Sequence, residues 1–142
     1  MAVTATEFPK CVQHAIDYLT GTIKIALVES YTFDVTHEFF SDVSSTQITG
    51  TGYTAGGVTL TSFTDSYDSG TNTYTFTCDN AVWTTATFTT SGAILYSSTG
   101  VAGTSPLIGY IDFGADQSPA SSDFSLRIAP AGLITRQVVA AS

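Results

Sequence analysis

From residue 22 onward, most apolar segments of the chain alternate apolar and polar residues with a period of two. In the run 22–30, Ile23, Ile25 and Leu27 share one face, and Lys24 and Ala26 share the other. Such alternation is typical of a half-buried β-strand, whereas a helix repeats every 3.6 residues. Comparable apolar runs follow in 58–68, 73–80, 85–98, 105–114, 123–130 and 133–140. The pattern predicts an all-β fold, a single antiparallel β-sandwich or barrel of about seven to nine short strands.

Glycine-, serine- and proline-rich turn signals separate these runs, and they set more local expectations. The residues 68–72, "DSGTN", join two alternating runs and predict a β-hairpin. Within 73–80 we expect Tyr74, Phe76 and Cys78 to point inward, and within 105–114 we expect a buried strand interrupted at Gly109. The run 36–46 fits no single period and is compatible with a helical turn. No linker divides residues 22–142, which we expect to form one β domain.

Residues 1–21 have a different pattern and are expected to form an N-terminal helix or arm. One helical face is predicted by the spacing of five apolar residues, Phe8, Val12, Ala15, Ile16 and Leu19. Thr6 is suited to cap such a helix, Pro9 to its first turn and Gly21 to the position after its end. The segment would dock on its own core or reach a neighbouring subunit.

The charge of the chain excludes several classes of function. The net charge is −8, and the only cations are Lys10, Lys24, Arg127 and Arg136. Binding of nucleic acid or of an anionic membrane is therefore not expected, because both depend on lysine and arginine. The opening residues lack the basic and apolar regions of a signal peptide, which predicts a soluble protein made in the cytoplasm. Charged residues make up only 11% of the chain, and a surface this poor in charge suits burial against a protein partner.

The segment Gly50–Leu60, "GTGYTAGGVTL", here called the glycine loop, begins with letters that fit a dinucleotide-binding fingerprint. That fingerprint has meaning only where a helix follows the glycines and its N-terminus receives the pyrophosphate. Here an alternating strand follows, and no lysine or arginine lies between Ile25 and Thr84. We therefore expect Gly50, Gly52, Gly56 and Gly57 to permit positive φ in a tight bend that Tyr53 anchors, and we expect no cofactor.

Two further patterns are weak candidates for metal binding. Asp112 and Asp116, in "DFGAD", could share a calcium ion, but their spacing does not fit an EF-hand loop. A strand end followed by a turn with solvated carboxylates is favoured instead. The same letters D-F-G occur in kinases, but the accompanying kinase motifs are missing.

Cys11 and His14 could supply two zinc ligands, and only His37 and Cys78 remain to complete a tetrahedral site. The favoured interpretation of Cys11 and Cys78 is two small buried thiols, and a Cys11–Cys78 disulfide is the alternative. We predict no metal-binding residue.

Catalytic patterns are equally sparse. The chain has two histidines and no G-x-S-x-G turn for a nucleophile. A carboxylate pair for glycoside hydrolysis stays open, because it depends on the distances between the twelve acidic residues. Trp83 is expected to be a core or interface anchor, with a sugar platform as the alternative. We predict no catalytic residue and no enzyme activity.

Five motifs, in order, resemble a family of small β-rich proteins encoded in the structural gene modules of tailed bacteriophages. They are I-K-x-A-L from Ile23, T-H-x-F-F-x-D-V from Thr36, G-T-G-Y-T-A-G-G from Gly50, W-x-x-A-T from Trp83 and S-P-L-I-G-Y-x-D-F-G from Ser105. The resemblance covers about residues 21–135. It leaves the first twenty residues and the end of the chain unmatched.

The resemblance implies a virion structural protein located in the phage particle. The favoured function is a capsid decoration or cement protein that binds the major capsid protein or other virion proteins, as a homo-oligomer and preferably a trimer. A tail or connector subunit is the alternative, and a host- or glycan-binding surface module is the second alternative. The glycine loop and the N-terminal segment are the expected contacts.

Overall fold

A computed structural model describes residues 2–10, 14, 16, 17, 21–130 and 132–137, and these residues form an all-β fold. The strands are β1 (Ala2–Val3), β2 (Thr6–Glu7), β3 (Ile23–Val28), β4 (Val58–Thr59), β5 (Thr64–Asp68), β6 (Thr73–Thr77), β7 (Ala81–Ala86), β8 (Thr90–Ser97), β9 (Leu107–Gln117), β10 (Ser122–Ile128) and β11 (Ile134–Gln137). The predicted fold class is therefore confirmed. The strand number exceeds the expectation because the two-residue strands β1 and β2 also join the sheets, and because the predicted run 58–68 is divided into β4 and β5.

The strands form three sheets arranged as a sandwich. One sheet has five strands in the order β2-β9-β8-β3-β4, and two smaller sheets have the orders β1-β10-β7 and β11-β6-β5. All pairings are antiparallel except the short parallel contact of β1 with β10. The predicted hairpin at 68–72 is confirmed, since β5 and β6 pair from Asp68 and Thr73 outward.

The main core lies between the five-stranded sheet and the two smaller sheets. Ile23, Ile25 and Leu27 of β3 point into it, as their alternation predicts. Trp83 of β7 and Phe124 of β10 meet them from the other side, with ring centroids 5.8 Å apart. Trp83 is only 2% exposed, so its predicted place in the core is confirmed.

The opposite face of the five-stranded sheet is also buried, in a second and more aromatic core. Ala26 and Val28 of β3 contribute to it, together with Ile94, Tyr96 and Tyr110 of the neighbouring strands. Residues 29–46, here called the covering segment, lie over this face. The segment contains two short 3-10 helices, Phe40–Asp42 and Ser44–Thr46, so the expected helical turn is confirmed.

The described residues 2–8 form an arm along the sandwich, and no helix begins at Thr6. Thr6 and Glu7 form β2, which adds to the edge of the five-stranded sheet beside Tyr110 and Gly109. Phe8 is fully buried in the second core. Strand pairing takes precedence over helical spacing here because the exposed edge of β9 offers hydrogen bonds to the arm. Ile16 is partly buried against the main core, and the other predicted helix positions, Val12, Ala15 and Leu19, lie outside the described residues.

Two further local expectations are met only in part. Strand β9 continues through Gly109, but its register against β8 shifts between Leu107 and Gly109, so the expected interruption is an irregularity and not a strand end. A Cβ atom on Gly109 would lie 2.9 Å from the Cβ of Ala5, so this glycine also admits the arm. Tyr74 is exposed because the hairpin extends past the edge of the core, whereas Phe76 and Cys78 pack against the core as predicted. No helix among the described residues is long and apolar enough to cross a membrane.

Candidate functional site

The glycine loop crosses closely over β3, and its glycines have positive φ as predicted. The φ angles are 153° at Gly50, 87° at Gly52, 92° at Gly56 and 79° at Gly57. A Cβ atom on Gly57 would overlap the carbonyl oxygen of Ile25. Glycine at this position therefore satisfies two constraints at once, a left-handed backbone and contact with the sheet. The loop continues into β4, and no helix follows it.

Gln47 ties the loop to the sheet through its side-chain oxygen. Its Oε1 atom accepts hydrogen bonds from the Tyr53 hydroxyl and from the Gly56 backbone N–H, both at 2.7 Å. The Tyr53 hydroxyl in turn accepts a hydrogen bond from the backbone N–H of Leu27 at 3.3 Å. Burial raises the pKa of Tyr53 to about 12. The predicted anchor role of Tyr53 is confirmed, and Gln47 is its partner.

A pocket of about 390 Å³ opens where the covering segment ends, between the glycine loop and the loop 98–105. Lys24 and Tyr96, which face each other across β3 and β8, both line it. The Phe40 ring stacks on Tyr96 with centroids 4.0 Å apart. The Tyr96 hydroxyl donates to the Gly56 carbonyl at 2.5 Å, and burial raises the pKa of Tyr96 to about 12. This volume falls in the range of small-ligand sites, about 300–1,000 Å³.

The rim loop of the pocket is held by its own hydroxyl groups. Ser105 donates its hydroxyl to the Val101 carbonyl at 2.8 Å and accepts the Thr99 N–H at 3.0 Å. The hydroxyls of Thr99 and Thr104 lie 2.6 Å apart. Val101, at the turn of this loop, is 61% exposed. These bonds give the pocket a preformed wall with an apolar residue at its mouth.

A second feature is the hairpin of β5 and β6, here called the tyrosine hairpin. All five residues of β5 are exposed, and Tyr67 and Tyr74 lie side by side on the hairpin with ring centroids 5.0 Å apart. These rings are 52% and 46% exposed. The Tyr67 hydroxyl donates to the Asn72 side chain at 2.9 Å, which fixes the ring at the turn.

The possible zinc ligands are not brought together among the described residues. His37 lies beside the second core, where its Nδ1 atom is 2.9 Å from the Tyr31 hydroxyl. Cys78 packs against the main core on the other side of the five-stranded sheet. His14 contacts the ring of Phe39, with centroids 5.4 Å apart. Cys11, and with it the zinc pair and the disulfide partner, lies outside the described residues.

Cys78 itself is a free, half-buried thiol. Burial, and then the neighbouring carboxylate of Asp79, raise the pKa of Cys78 to about 11. The thiolate is the reactive form of cysteine, so at neutral pH this residue behaves as a packing group, as the favoured interpretation expects.

Asp112 and Asp116 both lie in β9, which continues to Gln117, so the expected strand end is wrong, but the pairing of β9 with β8 is interrupted between Asp112 and Gln117, where a turn was expected. Gly114, with φ of 77°, kinks the strand there, and its N–H donates to the Asp112 carboxylate at 2.8 Å. Pairing with β8 resumes at Gln117, opposite Thr90, after a shift in register. Within the part of the chain that the structure describes, no three potential ligands cluster around a metal position.

Sequence reasoning did not single out Lys24, Gln47 or Tyr96 as members of a site. The available signal was a lysine within an otherwise apolar strand, because lysine is rarely buried unless its charge has a partner. Comparison with protein-family models, with curated proteins and with solved structures gave no match.

Proposed function

We propose that this protein is a structural protein of a tailed-bacteriophage virion, a decoration or cement protein that stabilises the head by protein–protein contacts. The five ordered motifs and the low charge of the chain support this assignment. A cement protein binds only the assembled shell, and it therefore stabilises that state by mass action.

The observation that carries the proposal is the exposed tyrosine pair of the tyrosine hairpin. Tyrosine is enriched in protein interfaces because its ring buries a large area and its hydroxyl still finds a partner. Tyr67 is already fixed by its bond to Asn72, so little side-chain entropy is lost when a partner covers it.

The outer edge of β5 adds a second means of contact. Strand β5 lies at the end of its sheet and pairs only with β6 within the described chain. An extended segment of another protein can add to such an edge through main-chain hydrogen bonds. Asp65 and Asp68 lie on this strand and disfavour pairing of β5 with β5 of a second copy, because like charges repel. The expected partner of β5 is therefore a different surface of the neighbouring protein. A closed ring of three subunits also requires this, because each subunit contacts the next through two different surfaces.

The arm and the glycine loop, expected from sequence as contacts, are less suited to this role. Residues of the arm pair with β9 and β10 of their own chain. Tyr53 of the glycine loop is engaged by Gln47 and Leu27. The tyrosine hairpin is therefore the proposed contact with other virion proteins.

The test is the location and copy number of the protein in purified particles, by quantitative mass spectrometry and immunogold labelling. Hundreds of copies over the head support a cement protein. Tens of copies along a tail, or rings and tubes formed by the isolated protein, would instead assign it to the tail or connector.

A matched pair of variants tests the surface. Tyr67→Ala with Tyr74→Ala should abolish binding to expanded capsids and shift any trimer toward monomer in sedimentation. Val35→Ala removes an exposed apolar side chain outside the tyrosine hairpin. It should leave the capsid binding and the oligomeric state unchanged. A strictly monomeric protein without affinity for capsids would refute the proposal.

A further inference from the structure

We infer that the pocket beside Lys24, here called the Lys24 pocket, binds a carboxylate carried on a short apolar group. This inference is independent of the virion assignment. It follows from the charge, the shape and the preformed wall of the pocket.

The charge of the pocket is opposite to that of the protein. Lys24 is the only charged residue among those lining it, and no aspartate or glutamate is present there. Within the described chain, Lys24 forms no ion pair, whereas Glu7 holds Arg136 at the other end of the five-stranded sheet. Acidic residues outnumber basic ones twelve to four in the chain, and yet none of them pairs with Lys24 in the described part. The ammonium group of Lys24 is therefore available to an external anion.

The ammonium group of Lys24 lies close to Gly56 and Tyr96. A Cβ atom on Gly56 would lie 3.6 Å from the Lys24 Nζ atom and 3.4 Å from the Tyr96 hydroxyl, both ordinary contact distances. The amine thus lies beside the glycine loop and a buried aromatic residue. A half-buried cation interacts with an anion more strongly than an exposed one, because less solvent screens the pair.

A second polar group can complete the recognition of a carboxylate. The Ser98 hydroxyl lines the pocket and accepts the Gly100 N–H at 3.3 Å. Its own proton remains free to be donated within the described chain. One ammonium and one hydroxyl donor match the two oxygens of a carboxylate.

The remaining walls favour an apolar stem over a highly charged ligand. Phe40, Ala55, Tyr96, Val101 and Ala102 supply apolar surface to the pocket, beside the uncharged polar side chains of Ser44, Gln47 and Ser105. A phosphate group carries up to two charges and is usually bound by several donors together, namely backbone N–H groups with arginine or lysine. A single lysine in a protein of net charge −8 suits a singly charged carboxylate instead. The carboxylate can come from a small organic acid or from the C-terminus of a protein chain.

The test is a titration of the ¹⁵N-labelled protein with sodium butyrate, followed by NMR at constant ionic strength. Saturable shifts at Gly56, Ser98, Gly100 and Ala102, with a dissociation constant in the millimolar range, are expected. Butyramide, which has the same shape without the charge, should produce no saturable shift. Inorganic phosphate should bind more weakly than butyrate.

Lys24→Met should lower butyrate affinity by about tenfold or more, which corresponds to ~1.4 kcal/mol. Arg127→Gln changes the net charge equally, at an exposed position on β10, and should leave the affinity unchanged. If Lys24→Met does not fold, the side-chain resonances of Lys24 in the unaltered protein provide the readout. They must shift with the same dissociation constant as the backbone amides.

Two peptide probes identify the source of the carboxylate. Acetyl-Ala-Ala-Leu with a free C-terminus, compared with its C-terminal amide, measures recognition of a protein terminus. Tighter binding of this peptide than of butyrate points to a protein partner, and the reverse order points to a small acid. Binding of butyramide as tight as that of butyrate, or butyrate binding unaffected by Lys24→Met, would overturn the inference.

Discussion

The hydroxyl of Tyr53 donates to the side-chain oxygen of Gln47 across 2.7 Å, and this bond holds the glycine loop on the five-stranded sheet. The same oxygen accepts the Gly56 N–H, so one side chain fixes both the anchor and the far end of the bend. Gly56 also adjoins Lys24 and Tyr96. Gln47 thereby shapes the pocket as well as the loop.

Gln47→Ala should destabilise the protein by about 1–3 kcal/mol, because it leaves two donors without their acceptor. Urea unfolding followed by tryptophan fluorescence measures the change. Gln137→Ala is the matched control, since this exposed side chain donates one bond to the Thr71 carbonyl, and its effect should stay within about 0.5 kcal/mol. Equal effects of both variants would contradict the role of Gln47.

Three glycine-to-alanine substitutions separate backbone strain from steric overlap. Gly100→Ala should cost about 1–2 kcal/mol, because φ is 89° but no atom lies within 4 Å of the new Cβ. Gly57→Ala should cost clearly more, since its Cβ also overlaps the Ile25 carbonyl. Gly103→Ala, with neither constraint, should be nearly neutral. The order of the three unfolding free energies is the measurement, and a Gly57→Ala cost no larger than that of Gly100→Ala would disprove the overlap.

Because some of its tyrosines are buried, the folded protein should lose stability as the pH rises into the alkaline range. The pKa of Tyr96 is raised to about 12 by burial, whereas an unfolded tyrosine has a pKa near 10. Between these values the unfolded state loses the proton and the folded state keeps it, so stability is complete below pH ~10 and falls as the pH rises toward ~12. The slope for this residue is at most about 1.4 kcal/mol per pH unit.

Urea unfolding at a series of pH values measures this slope, and Tyr96→Phe should reduce it. Cys78, with a pKa of about 11, acts in the same direction but starts at lower pH, because a free thiol titrates near 8.5–9. The comparison with Tyr96→Phe isolates the contribution of the tyrosine. An unchanged slope in that variant would contradict burial of the hydroxyl.

Phe8→Ala tests whether the arm belongs to the folded core. Phe8 is fully buried, so its truncation should cost about 3–5 kcal/mol. Tyr67→Ala removes a comparable aromatic ring from an exposed position and should cost less than about 1 kcal/mol. Comparable losses in the two variants would show that the arm does not pack as described.

The sequence by itself determined the faces of the central strands and several of the turns. Alternation in 22–30 and 123–130 correctly places Ile23, Ile25 and Leu27, and then Phe124 and Leu126, in the core. The turn residues at 68–72 give the hairpin, and the glycines of the loop give its positive φ. These features depend on residues close in sequence, where backbone sterics and side-chain periodicity act directly.

Only the tertiary structure decided which distant segments meet. Thr6 and Glu7 form a strand rather than a helix because β9 offers them an unpaired edge. Gly109 leaves room for this arm, because a Cβ atom there would collide with Ala5. Tyr74 is exposed because the core ends before the hairpin does. Lys24, Gln47, Tyr96 and the loop 98–105 form one pocket from separate parts of the chain. The period of a strand specifies its two faces, but which segments cover those faces is decided by long-range packing.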